Sequence, residues 1–170
     1  MQPSPANINV SIHGVVVVPL KKVVNERGHL LEIQRNDDTH FPGFGQVYMT
    51  ATKPGIVKAW YRHHRQIDQI AIIQGNLLLV LYDAREASPT RDVIQQIRLF
   101  DEQPALVRIP TEVWHGFQAL GDSPALLLHV NTIPICFENT DEDRLPPTTI
   151  KIPFRWALPA GEQQGLAPAG

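Results

Sequence analysis

The sequence predicts a single-domain, all-β jelly roll (a double-stranded β-helix), and three observations point there. Short runs rich in Val, Ile, Leu and Tyr recur from Val15 to Asn131. Turn residues part them, at Gly75-Asn76, Ser88-Pro89-Thr90, Gln103-Pro104 and Gly121-Asp122-Ser123-Pro124. No stretch has convincing helical periodicity. Many short strands at such spacing pack as facing sheets, and 170 residues suffice for one sizeable core.

In chain order, residues 1–8 read as a polar arm that a partner would order. Val15-Val16-Val17-Val18 is a strand ended by Pro19. Asn25-Glu26-Arg27-Gly28 is a turn before a second strand over 29–33, and 36–45 is a loop rich in Asp, Thr, Pro and Gly. Gln46 to Thr50 alternates and is read as a strand. Further strands are expected at about 56–62, 68–73, 76–82, 93–99, 105–109, 114–120 and 125–132. Residues 138–156, with prolines at 146, 147 and 153, read as loop and extended segment. The jelly-roll domain is thus 9–156, and 157–170, rich in Ala, Gly, Pro and Gln, is a disordered tail.

The totals exclude several classes. A net charge of -2 gives no reason to expect nucleic acid or an acidic membrane as partner. No apolar run approaches the roughly 20 residues that span a bilayer, and no basic-then-apolar leader is seen, so a cytoplasmic protein is the simplest expectation. One cysteine excludes an internal disulfide and a cysteine-based zinc site. Cys136 is read as a small buried hydrophobe.

One stretch organises the chain. Gly55 precedes Tyr61 by five intervening residues; His63, Asp68 and, after six more residues, Gly75 follow. Side chains alternate along a strand, so positions 61 and 63 share a face, and an acid on the next strand can meet them across the ladder. Gly75 permits the tight turn between those strands. Downstream lies Pro110-Thr111-Glu112-Val113-Trp114-His115. Together these spacings resemble the two cupin motifs, with Glu112 where a glycine is usual and Ala119 where the second motif closes on asparagine.

Beyond the general motif, the chain resembles the dTDP-4-dehydrorhamnose 3,5-epimerase family of cupins from about Gly14 to Trp156. The markers are Asn25-Glu26-Arg27-Gly28 with Glu32, Gln46, the run from Gly55 to Tyr61, the run from Asp83 to Thr90, and Trp114-His115-Gly116-Phe117. The resemblance implies a metal-free jelly-roll homodimer that moves protons at carbons next to a sugar ketone. It also implies that Arg27, Glu32, Gln46 and Lys58 hold a nucleotide and its phosphates, Lys58 standing where the family has arginine. Trp60 and Trp114 have aromatic faces suited to a pyranose or a base, or else belong to the core.

The chain departs from the family at the reacting positions. Tyr61 stands at the family's histidine base, Asp68 at its lysine, Ile133 to Cys136 where its tyrosine acid is expected, and Pro146-Pro147 where an aspartate orients the histidine. Three readings follow. A sugar-nucleotide epimerase or isomerase would use His63 or His115 for proton transfer, with Tyr61 as the acid and Asp68 beside them. A binding module would hold a nucleotide sugar without turning it over. A metal-dependent cupin would draw its ligands from His63, Asp68 and His115. Asp83 and Arg85 read as a structural turn pair.

Overall fold

The computed structural model describes residues 9–39 and 41–158. Its strands are β1 (Val16–Pro19), β2 (Lys22–Asn25), β3 (Gly28–Leu31), β4 (Gln46–Thr52), β5 (Val57–His63) and β6 (Asp68–Gln74). They continue as β7 (Asn76–Asp83), β8 (Ile94–Phe100), β9 (Ala105–Ile109), β10 (Val113–Leu120), β11 (Ala125–Asn131) and β12 (Glu142–Arg144). Two five-stranded antiparallel sheets face each other, ordered β1-β9-β6-β11-β4 and β12-β5-β10-β7-β8, while β2 and β3 form a separate hairpin. The expected jelly roll is present, and no helix occurs among the described residues. The predicted arm at 1–8 and most of the predicted tail lie outside them.

Alternation explains how the sheets pack. On β7, Leu77, Leu79 and Leu81 turn inward to meet Ile70, Ile72 and Leu127 of the facing sheet. Leu78, Val80 and Tyr82 turn outward, where Trp60, Trp114, Ile152 and Trp156 cover them. The second sheet is therefore buried on both faces, which is why β7 reads as a continuous apolar run. The chain after Leu145 supplies the outer cover. Gly75 takes φ +80° at the β6–β7 turn, and a Cβ there would lie 2.6 Å from the Pro124 carbonyl oxygen, so the predicted turn glycine is required twice over. At Gly116 a Cβ would fall 2.4 Å from that of Ala59, so only glycine lets β10 approach β5 this closely.

The predicted Asp83–Arg85 pair is confirmed and proves larger than a pair. The fully buried Asp83 carboxylate accepts from Arg85, from the Ser88 hydroxyl at 2.6 Å and from the Thr90 hydroxyl at 2.7 Å. Arg85 also donates to the His13 carbonyl at 2.7 Å, and the His13 amide donates to Thr90 at 2.9 Å. The motif thus staples the N-terminal segment to the end of β7.

Three expectations need correction. The second predicted strand is shorter, ending at Leu31, because it pairs only with β2, a strand the sequence did not announce. β12 was unannounced too, since three charged residues carry no periodicity and become a strand only by pairing with β5. Cys136 is exposed rather than buried: it lies in the loop before β12, with Sγ 3.5 Å from Glu138. β1 does end at Pro19, which is its last residue, as an edge strand allows.

Candidate active site

His63 closes β5, Asp68 opens β6 and His115 lies on β10, and the inward faces of these strands bring the three side chains together. One carboxylate oxygen, Oδ2 of Asp68, lies 2.9 Å from Nε2 of His115 and 3.5 Å from Nε2 of His63. Side-chain exposure is only 5% for Asp68, 4% for His115 and 11% for His63. Glu142 on β12 stands 3.7 Å from the same His63 nitrogen. Tyr61 pairs with His115 across the ladder, so its ring shares that wall, with the Arg144 guanidinium 5.6 Å from it.

Both rings are held at both nitrogens. Nδ1 of His63 is 3.0 Å from the Asp141 carbonyl and Nδ1 of His115 is 3.3 Å from the Val113 carbonyl. Carbonyl and carboxylate oxygens only accept, so each ring meets an acceptor at both nitrogens, and whichever nitrogen carries the hydrogen of a neutral ring, the other turns its lone pair toward an oxygen. Burial opposes ionisation of Asp68, but hydrogen bonds and charge from His115 and His63 outweigh it and hold its carboxyl well below the usual range. Burial also opposes charge on His63, yet Asp68, Glu142 and the Asp141 carbonyl together raise its pKa. Gln66 steadies the group by donating to Asp68 at 2.6 Å.

The facing wall is polar as well. On β4, Gln46, Tyr48, Thr50 and Thr52 turn inward while Val47 and Met49 turn outward and are 50% and 60% exposed. The Tyr48 ring stacks on His129 of β11 with centroids 4.5 Å apart. Thr50 lies 3.0 Å from Nε2 of His129, and Asn131 is within 3.4 Å of the Tyr48 hydroxyl. Burial pushes His129 down to about 4, so it is neutral, and burial followed by the Asp68 charge pushes Tyr48 up to about 12.

Of the residues singled out in the sequence, Tyr61, His63, Asp68 and His115 converge. Lys58 reaches across to donate to the Ala51 carbonyl of β4 at 2.8 Å, and Gln46 holds the Ile135 amide at 2.7 Å. Arg27 sits in the exposed β2–β3 turn and Glu32 pairs with Arg35 at 3.9 Å, so neither joins this group. Trp60 is fully buried and Trp114 nearly so on the outer face, under the cover of the C-terminal segment. Both serve as core there, Trp114 beneath the Arg62 guanidinium at 4.8 Å. Tyr48, His129, Asn131 and Glu142 were missed. A signal existed for Tyr48: β4 alternates with its polar residues inward, the reverse of an ordinary half-buried strand.

A model of the family described as dTDP-4-dehydrorhamnose 3,5-epimerase matches residues 9–166. The chain belongs to that family. Within it, the chain is 38% identical over 138 residues to a probable low-salt glycan biosynthesis epimerase, Agl13, of Haloferax volcanii, covering 80% of this chain and 88% of that one. It is 33% identical over 145 residues to the spore coat polysaccharide biosynthesis protein SpsL of Bacillus subtilis, covering 85% and 96%. The crystal structure of a dTDP sugar isomerase from Desulfovibrio desulfuricans superposes with a TM-score of 0.84 at 36% identity, covering 88% of this chain and 95% of that chain. The fold and family read from the sequence are thereby established. Among the described residues no helix is long and apolar enough to cross a membrane.

Proposed function

We propose that this member of the epimerase family binds a nucleotide-linked keto-sugar and moves a proton at a carbon next to the ketone, in a glycan-building route like those named for its relatives. The observation that carries this reading is the His115–Asp68 contact at 2.9 Å. A carboxylate buried against an imidazole nitrogen orients the ring and stabilises the imidazolium that forms when the ring takes a proton. Neither histidine stands where the family's base does, and Asp68 stands where the family has lysine. The dyad is rebuilt from other positions. The substrate ketone would lie in the open end between β4 and β5, where Lys58, Gln46 and Tyr61 are within reach.

A second reading has its own observation. The ligand atoms of His63, Asp68 and His115 lie within 4.8 Å of one another, and both imidazoles turn Nδ1 toward a backbone carbonyl, as metal-bound histidines do. A divalent cation suits two histidines and a carboxylate. One experiment separates the readings: proton NMR of a dTDP-4-keto-6-deoxy sugar in deuterium oxide, with protein before and after chelation. Loss of the C3 or C5 proton signal that survives chelation is expected. Exchange that vanishes on chelation and returns with Mn²⁺ or Co²⁺ favours the cation, and tight binding without exchange favours a binding module.

A homodimer is part of the proposal. Val47 and Met49 leave the outer face of edge strand β4 apolar, and the hairpin exposes Val24 (68%) and Leu30 (62%). Exposed apolar strands of this kind invite a second copy. It would also explain why Arg27 stands apart from this chain's own site: the hairpin would carry it to the neighbour's. Light scattering should give twice the chain mass.

A further inference from the structure

We infer that Tyr48 is the acid of this site, delivering a proton to the face of the substrate opposite the histidines. The inference rests on the proton-transfer reading above and names the residue that would complete it. Register places the phenol. Tyr48 pairs with His129 across β4–β11, and His129 pairs with Ile70 across β11–β6. The same ladder carried two residues further sets Asn131 beside Asp68. The Tyr48 hydroxyl reaches back toward that level, since Asn131 Nδ2 lies 3.4 Å from it. It therefore faces the sheet that carries His63 and His115.

Three features suit the phenol to giving up a proton there. Its ring is clamped flat on His129, with planes 7° apart, so the hydroxyl is positioned by the sheet rather than by a flexible loop. Asn131 donates to the phenol oxygen, and among the described residues no acceptor takes the phenol's own proton. That proton is free to point at a ligand. Burial and the nearby carboxylate keep the group protonated until an enolate forms. Tyr61, the other tyrosine of the open end, shares the wall of His115. A proton from Tyr61 would return to the face from which it left.

The step balances without any co-reactant. The imidazole of His63 or His115 takes the proton from the carbon next to the ketone, and the C–H electron pair passes into the enolate. The enolate carbon takes the proton of the Tyr48 hydroxyl on its other face as the C=O re-forms. The phenolate regains a proton from water and the imidazolium releases one. Configuration at that carbon is inverted, and nothing is oxidised or reduced.

The test is Tyr48→Phe, followed in deuterium oxide with a dTDP-4-keto-6-deoxy sugar. The variant should still exchange the C3 or C5 proton for deuterium, while inverted product falls at least about 100-fold. Unchanged melting temperature and dTDP affinity would show that the pocket is intact, and a purely structural role would not separate exchange from inversion. Inversion at the wild-type rate would overturn the inference, as would equal loss of exchange and inversion in an intact protein. Wild-type protein that fails to exchange at all would remove the proton-transfer reading itself, a result distinct from either.

Discussion

His115→Ala is expected to slow exchange of the sugar's C3 or C5 proton with solvent by about 10²–10⁴-fold, the usual contribution of a positioned general base. Asp68→Asn should cost a comparable factor by a different route. The amide keeps the shape but removes the charge that lies 2.9 Å from Nε2 of His115, so the imidazolium formed in the reaction loses its stabilisation. The two losses should be far from additive, because the residues act as one unit. The double variant should therefore be little slower than the worse single one. Deuterium exchange followed by NMR, with dTDP binding as a control for an intact pocket, checks this. Full exchange in His115→Ala would move the base to His63, whose Nε2 shares the same carboxylate oxygen at 3.5 Å.

Asp83→Ala should be among the most destabilising single changes in the molecule, costing about 3–5 kcal/mol because it strands a half-buried guanidinium and two hydroxyls. For a chain of this size that is a fall in melting temperature of about 6–20 °C. The cause is named contact by contact: Arg85, Ser88 and Thr90 all converge on the carboxylate, and Arg85 and Thr90 in turn hold His13. The pH dependence has a definite sign. Burial opposes ionisation of Asp83, but hydrogen bonds from Arg85, Ser88 and Thr90 win and depress its pKa. A depressed carboxylate pKa contributes stability above the unfolded value, about 3.9, and that stability drains away as pH falls toward the folded value. Urea denaturation across pH 2 to 7 should show wild type weakening below about pH 4. Asp83→Asn should start lower and show a flatter acid limb.

The contrast between these two sites shows what could be read from the chain itself. The Asp83 motif is local: the carboxylate and its three partners lie within eight residues, so side-chain chemistry and turn-forming residues announce it. The jelly roll was legible for a related reason. Strand alternation and turn glycines such as Gly75 are written at short range, and the period of two puts Tyr61 and His63 on one face, but Asp68 meets them from β6 of the facing sheet and not across the ladder the sequence suggested. Those four residues were rightly expected to converge.

Long-range partners were not legible. Tyr48 and His129 lie 81 residues apart (129 − 48) and meet because β11 happens to sit between β6 and β4. Glu142 faces His63 only because three charged residues add a strand to the edge of β5. Trp60 and Trp114 look like ligand platforms in a list of residues, but the chain from Leu145 to Leu158 folds over them and makes them core. Periodicity tells which residues share a face of one strand. Which strands are neighbours, and which face is then covered, is decided by burial summed over the whole chain, and no short window of sequence contains that sum.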